Sequence, residues 1–381
     1  MTGAILCGLF IFIIQPKHDS NSQYSESKIK QISYALSQRY LGDIDDQKLT
    51  DGIYMGYMSG LEDSSTRYLN KDQLQAAKAL SEGQYIGTGL KFEWGIDGSY
   101  IIITEVIPDS PAALENIKVG DKITQIDGIN VKTSNQMQIY EKLGYTGDKP
   151  VNYTLAHNNG QNKRDIKLVS KIVDIDAIHY EILDKVIGYI SIVSVKDNMS
   201  EQIQKIIKQF ETQGINKLIL DIRDTYSDNI DEVYKLCDLF IDEQVVFKVK
   251  DKAGQMKEYK AQKGAYQGEL VVLTNGGTQG CIEAFPAAIQ ELGQGITLGE
   301  ATAGTGSVHQ MITLEDQTGV IVSTGIIYTP KGIALKGKGV MPQKIVKPKM
   351  SSIIERLTTG QLEQRNDFQI MEAIRQLDLK Q

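Results

Sequence analysis

The residues on which metal, thiol or imidazole chemistry could rest are few. There are four histidines, His18, His157, His179 and His309, and three cysteines, Cys7, Cys237 and Cys281, in 381 residues. The histidines have no metal-ligand spacing among them, so neither a metal nor another cofactor is expected. Three cysteines cannot staple a disulfide scaffold or fill a four-cysteine zinc site, and a GxxxxGK[ST] phosphate loop is absent. The stretch that does carry chemistry is Gln84-Tyr85-Ile86-Gly87-Thr88-Gly89-Leu90-Lys91-Phe92. Two close glycines before Leu90 can turn successive backbone N–H groups into a concave nest. Such a nest holds a carboxylate, and the strand beyond it can pair with an extended peptide. Gly87, Thr88, Gly89 and Leu90 are therefore the candidate peptide-binding residues, and a helix is expected over 135–143.

The elements that must position this loop follow from the hydrophobic pattern. Residues 18–27 are polar and aperiodic and read as a linker. Helices are expected over 31–40 and 49–61. From about Tyr85 short β-rich runs take over: 101–107, then 123–126 and Val131 flanking the Asp127-Gly128 turn, then 151–156 and 165–169. After Val173 strands alternate with helices. A strand over 186–195 leads to a helix capped by Ser200, with Ile203, Ile206, Ile207 and Phe210 on one stripe and Gly214 closing it. A buried strand covers 217–222. Ile230, Val233, Tyr234 and Cys237 mark another helix face, which makes Cys237 a core residue. A strand over 270–273 runs into Asn275-Gly276-Gly277. This alternation implies an α/β layer with parallel strands. Residues 351–381 read as one helical segment.

Composition bounds the function. With 41 Lys+Arg against 48 Asp+Glu, the formal net charge is −7, which argues against a nucleic-acid partner. Hydrophobic residues make up 41% and charged residues 23%, ordinary for a chain with a buried core rather than a disordered one. The length leaves room for two or three domains at roughly 100–200 residues each. The apolar run at 4–14 fits the core of a signal or anchor, about 7–15 residues, better than the ~20 of a full span. An extracytoplasmic protein, secreted or associated with the cell membrane, is expected. The same run could instead form a buried N-terminal strand or helix. Cys7 follows a poor lipobox, and no lipidation is expected there.

Downstream of the glycine loop come Val106-Ile107-Pro108-Asp109-Ser110-Pro111-Ala112-Ala113, Gly120-Asp121-Lys122-Ile123 and Asp127-Gly128. This ordered set resembles a PDZ domain. Such a domain between a helical segment and an α/β core resembles the C-terminal processing (tail-specific) serine peptidases. Further stretches fit that family. Asp63-Ser64-Ser65-Thr66-Arg67-Tyr68-Leu69 is similar to its "DPHSxYL" segment, Ile187-Gly188-Tyr189-Ile190 to the strand opening its core, and Lys217-Leu218-Ile219-Leu220-Asp221-Ile222-Arg223 to "LILDLR". Tyr328-Thr329-Pro330-Lys331-Gly332 and Gly337-Lys338-Gly339-Val340-Met341-Pro342 resemble "YxTPxG…GKGIxPD". The implied fold is a mixed α+β and α/β multidomain chain. It comprises a signal or anchor segment and linker (1–27), an N-terminal helical segment (28–80), an inserted, β-barrel-like PDZ domain (81–172), a peptidase-like α/β core of the ClpP/crotonase type (173–350) and a C-terminal helical segment (351–381).

The resemblance also implies a serine nucleophile, a neutral lysine as its base, a glutamine orienting the lysine, and an oxyanion hole of backbone N–H groups. In this sequence the serine position is Gly280, the lysine position Thr305 and the glutamine position His309. The glycines of the family's "NPGG" are replaced within Thr225-Tyr226-Ser227-Asp228, and an acidic group there would repel an oxyanion. Pro286 is expected to strain the helix behind the nucleophile position. A glycine has no attacking atom and a threonine cannot replace a neutral amine as base. The expected function is therefore that of a pseudopeptidase that binds protein or peptide C-termini. Further partners implied are an active peptidase relative, which it would regulate or scaffold, or a second copy of itself. The alternative is an active serine-type endopeptidase with a rewired site, or one in which Cys281 and His309 form a thiolate–imidazole pair.

Overall fold

The computed structural model describes residues 26–378 apart from 64, 144–148, 158–161 and 360–365. The expected export segment, Cys7 and most of the linker lie outside the described residues. Helix α1 spans Glu26–Arg39, beginning inside the stretch expected as linker, and α2 spans Asp46–Ser59. The Asp45 carboxylate caps α2 by accepting from the Lys48 N–H. Among the described residues no helix is long and apolar enough to cross a membrane.

The PDZ domain is an antiparallel sheet in the order Leu90–Trp94, Ile101–Val106, Lys122–Ile126, Val151–His157, Asn162–Leu168. Ile101, Ile103, Ile123, Ile126, Tyr153 and Leu155 fill its core, with Ile139 from the helix Gln136–Leu143. The strands that enter and leave it, Gln84–Gly87 and Lys171–Asp174, pair antiparallel. That pairing brings the two ends of the domain together, the geometry an insertion requires.

The core domain is built on a six-stranded sheet in the order Ile178–Leu183, Ile187–Ile192, Lys217–Asp221, Glu269–Thr274, Ile296–Gly299, Lys344–Ile345. All neighbours are parallel except the first pair. Every residue of Lys217–Asp221 is buried, as expected of a parallel strand covered on both faces. Helices Met199–Thr212, Ile230–Asp238 and Ala284–Leu292 pack on one face, with Cys237 fully buried among them. Helix Phe368–Asp378 covers the other. A second sheet joins Arg67–Leu69, Gly319–Tyr328, Val245–Asp251, Met256–Lys260 and Ser307–Thr313.

Three local expectations are corrected. Asn198, not Ser200, occupies the N-cap of Met199–Thr212, and it does so in the left-handed region. Ser200 lies inside the helix, and its hydroxyl bonds the buried Glu232 carboxylate at 3.0 Å, a partner contributed by the next helix. The strand expected over 186–195 is the shorter Ile187–Ile192. The C-terminal segment is two helices, Met350–Thr359 and Phe368–Asp378. The first packs on the PDZ strand Ile101–Val106 and the second on the core sheet, so the two bury against different partners.

Candidate functional site

Strand Glu269–Thr274 ends in a loop that Asn275 ties together. The Asn275 Oδ1 accepts from the N–H groups of Gly277 and Asp224, each at 2.9 Å, and its Nδ2 donates to Asp224 Oδ1 at 2.9 Å. Gln279–Gly280 then pair in parallel with Tyr226–Ser227. The loop after Asp221, where this sequence lacks the glycines of the resembled family, is thus laid as a strand against Gly280. Gly280 has φ +83° and ψ −146°, a region essentially reserved for glycine. A Cβ at Gly280 would fall inside the van der Waals envelope of the Ser227 carbonyl oxygen. That oxygen is backbone and cannot swing aside. Position 280 offers no side-chain atom, and the space where one would stand is closed.

Glu283, which sequence reasoning passed over, organises what remains. It is fully buried. Its Oε2 accepts from Thr302 Oγ1 at 2.5 Å and the Gly304 N–H at 2.7 Å, and its Oε1 from the Gly306 N–H at 3.0 Å and the Gly280 N–H at 3.2 Å. One carboxylate therefore fixes Gly280 and the two glycines flanking Thr305. The legible signal was an acidic residue three positions after the turn residue that opens a helix, the second half of a capping box. Thr305 is half-buried, and its carbonyl accepts from Ser307 Oγ at 2.9 Å.

His309 and Asp228 are brought together: Nδ1 lies 2.6 Å from Asp228 Oδ1. The Tyr226 hydroxyl donates to the other oxygen of the same carboxylate. Burial, then the Asp228 charge, push the Tyr226 phenol well above its ordinary value, which keeps it a donor. A carboxylate orienting an imidazole is the base-and-orienter half of a catalytic triad. The other half is missing. His309 Nε2 is buried with no hydrogen-bond partner. Cys281 does not supply one, because its Sγ donates instead to the Ser307 carbonyl at 3.7 Å. Burial raises the Cys281 pKa well above the ordinary thiol value, and Asp228, Glu283 and Asp231 raise it further. The residue is a packed thiol, not a thiolate.

Pro286 does not strain its helix. It is the third residue of Ala284–Leu292, within the first turn, where backbone N–H groups have no intrahelical acceptor, and the segment before it, Cys281–Glu283, is a 3₁₀ turn. Arg223 is fully engaged in structure. It bonds Asp221, Asp367 and Gln369 beside a polar cavity of about 560 Å³ between the PDZ domain and the core.

In the PDZ domain, Gly87, Thr88, Gly89 and Leu90 stand together at one end of the strand Leu90–Trp94. Ala112 N–H donates to the Thr88 carbonyl and Ile107 N–H to the Gly89 carbonyl, both at 2.9 Å, so the turn through Pro108 and Ser110 pins the loop. Gly89 has φ +84°, and a Cβ there would collide with Ser110. Strand Leu90–Trp94 is the edge of its sheet. Across from it lies the helix Gln136–Leu143, whose Tyr140 ring packs on Phe92 and Trp94. Edge strand, glycine loop and helix are the parts of a peptide groove.

Residues 186–346 match the model for peptidase family S41, and residues 79–152 match that for the PDZ domain. A carboxy-terminal-processing protease of Bartonella bacilliformis is 23% identical over 356 residues, covering 91% of this chain and 81% of its own length. Among solved structures, the photosystem II D1 C-terminal processing protease superposes with a TM-score of 0.54 at 23% identity, over 85% of this chain and 88% of its own. Mature CPAF complexed with lactacystin gives 0.53 at 11% identity, over 86% and 88%. The two superpositions speak to the fold alone.

Proposed function

We propose that this chain, which matches the models for peptidase family S41 and the PDZ domain, has lost peptide-bond hydrolysis and retains the binding of protein or peptide C-termini. The observation that carries the reading is the Ser227 carbonyl oxygen standing where a Cβ at position 280 would fall. It supports a site that is filled, and not only one that has lost its serine. The Asp228–His309 pair and the packed Cys281 thiol support the same reading, since each rescue residue bonds elsewhere and not to the other. The Gly87–Leu90 loop and the edge strand after it would hold the tail. The apolar run at 4–14 supports an extracytoplasmic place of work. A serine-directed fluorophosphonate and a cysteine-directed iodoacetamide probe test the reading on the folded protein. The fluorophosphonate should not label it, and iodoacetamide should not label Cys281. Site-specific labelling at Cys281 of the native chain would favour the rewired enzyme.

The N-terminal helices support association with a second copy of the chain. Twelve large apolar side chains between Ile29 and Leu61 are exposed, and α2 buries none of its residues. Exposed apolar area of that density marks an interaction surface. Grooves of about 430 and 480 Å³ flank α2, one lined by Met55, Met58 and Tyr68, the other by Tyr57, Leu314 and Val320. Glu62, Asp63, Glu315 and Asp316 sit on their rims against the single Arg67. The sequence of α1 carries three basic residues and one acidic, so the α1 of a second copy complements these grooves in both polarity and charge. Light scattering on the full chain should give the mass of a dimer, and Ile32→Asp should halve it. A wild-type monomer at micromolar concentration rejects self-association. A complex formed only with an active S41 relative would assign the surface to that partner.

A further inference from the structure

The groove between the edge strand Leu90–Trp94 and the helix Gln136–Leu143 already holds an aromatic ring. The Tyr140 ring lies stacked on Phe92, with centroids 6.4 Å apart and planes 30° from parallel. It meets Trp94 edge-on at 6.1 Å and 84°. Its hydroxyl oxygen accepts two hydrogen bonds, from Trp94 Nε1 at 2.9 Å and from Gln136 Nε2 at 3.1 Å. The side chain bridges the two walls, yet Tyr140 remains 43% exposed, so nothing packed above it prevents it from swinging out.

What Tyr140 would leave behind is a slot of definite chemistry. Phe92 offers a face, Trp94 an edge-on neighbour, and Trp94 and Gln136 two N–H donors converging on one point. Once Tyr140 departs, an incoming residue that covers those donors must also offer an acceptor, because shielding them from water unmatched is costly. A second phenol satisfies every element of the slot. Phenylalanine fills it but offers no oxygen, and a serine or threonine offers the oxygen but no ring.

We propose that Tyr140 is an internal stand-in for a tyrosine of the bound tail. The groove would then select C-termini with tyrosine at the third residue from the end, each binding event displacing Tyr140. The inference rests on the tail-binding reading above. Its register follows from that reading. A tail whose carboxylate sits in the Gly87–Leu90 loop and which runs antiparallel to the edge strand places its last residue beside Leu90. At about 3.3 Å per residue and with alternating faces, the third residue from the end comes beside Phe92 with its side chain toward the helix.

Trp94 is the only tryptophan in the chain, so its fluorescence reads the slot directly. The full chain is titrated with three decapeptides ending in a free-carboxylate valine and carrying Tyr, Phe or Ala at the third position from the end. The tyrosine peptide should bind about tenfold tighter than the phenylalanine peptide, the cost of one or two unmatched donors. Trp94 emission should shift on binding of either aromatic peptide. Tyr140→Ala should tighten the tyrosine peptide several-fold by removing the competitor, and Gln136→Leu should shrink the Tyr/Phe preference. Circular dichroism checks that each variant folds. Equal affinities for the three peptides, or a Tyr140→Ala variant that binds no better than wild type, overturn the stand-in. Failure of every peptide on both wild type and Tyr140→Ala instead removes the tail-binding reading on which it rests.

Discussion

The Ser227 carbonyl oxygen occupies the space that any side chain at position 280 would need. The parallel pairing of Tyr226–Ser227 with Gln279–Gly280 sets this contact, so it belongs to the backbone and is not an accident of one rotamer. Restoring a nucleophile therefore requires rebuilding the loop as well as replacing a residue.

The first consequence concerns Gly280→Ser combined with Thr305→Lys. The serine must take φ +83°, a conformation costing a non-glycine residue about 1–3 kcal/mol, before its collision with Ser227 is counted. Urea unfolding should show Gly280→Ser alone destabilised by about 2 kcal/mol or more, and the double variant should show no family-like turnover. An unchanged midpoint, or turnover recovered by those two changes alone, would mean the loop yields easily.

A second concerns Asp228 and His309. Both replace expected catalytic-machinery residues, and they pair with each other at 2.6 Å. Their effects on stability should therefore be coupled. In a cycle of Asp228→Asn, His309→Gln and the double variant, the interaction energy should be about 1–2 kcal/mol, within the range of residues sharing one network. Strict additivity would mean that the pair contributes nothing to stability.

The buried thiols give a pH dependence with a definite sign. Burial raises the folded-state pKa of Cys281, with Asp228 and Glu283 adding to it, and burial likewise raises that of Cys237. Unfolded cysteines titrate near 8.5. Below that pH both states are protonated and the thiols leave stability unaffected by pH. As pH rises past about 9 the unfolded chain loses protons that the folded chain keeps, so stability falls. Unfolding midpoints at pH 7, 9 and 10 should decline beyond 9, and the decline should shrink in Cys281→Ala. A Cys281 that reacts with iodoacetamide in the native protein at pH 8 contradicts the packed-thiol assignment.

Tail binding should depend on the terminal carboxylate. Amidating a peptide's C-terminus removes a charge-assisted acceptor worth about 1.5–3 kcal/mol, so affinity should drop roughly 10–100-fold. Gly89→Val should do similar damage, because Gly89 has φ +84° and its missing side chain makes room for Ser110. Equal calorimetric affinity for acid and amide peptides would leave the PDZ domain a spacer.

Much of this was legible in the residues. The strand at Lys217–Asp221 is legible from its apolar centre, Leu218-Ile219-Leu220, because both its faces are covered. The stripe Ile203, Ile206, Ile207, Phe210 shows its helix because all four side chains are buried on one side. Ser200 misled because a serine just before an apolar stripe has the pattern of a cap, and only the fold places Glu232 against it. Motif resemblance could align Gly280, Thr305 and His309 with the family's catalytic positions. It could not show what packs around them. The pairing of Ser227 with Gly280 and of Asp228 with His309 joins residues 53 and 81 positions apart, respectively, and neither pattern nor spacing encodes such contacts. Glu283 was visible as a capping residue in principle, but its three further donors, Thr302, Gly304 and Gly306, come from a different loop.

Loss of hydrolysis is read out by turnover of an unstructured protein with an apolar C-terminus, measured by mass spectrometry on the purified full chain and on Cys281→Ala. Substrate should stay intact with both, because Gly280 offers no nucleophile and His309 Nε2 has no hydrogen-bond partner to activate. Cleavage that survives in Cys281→Ala, in a preparation free of other proteases, would contradict the loss of catalysis outright. Cleavage abolished by that substitution would contradict it in favour of a cysteine enzyme.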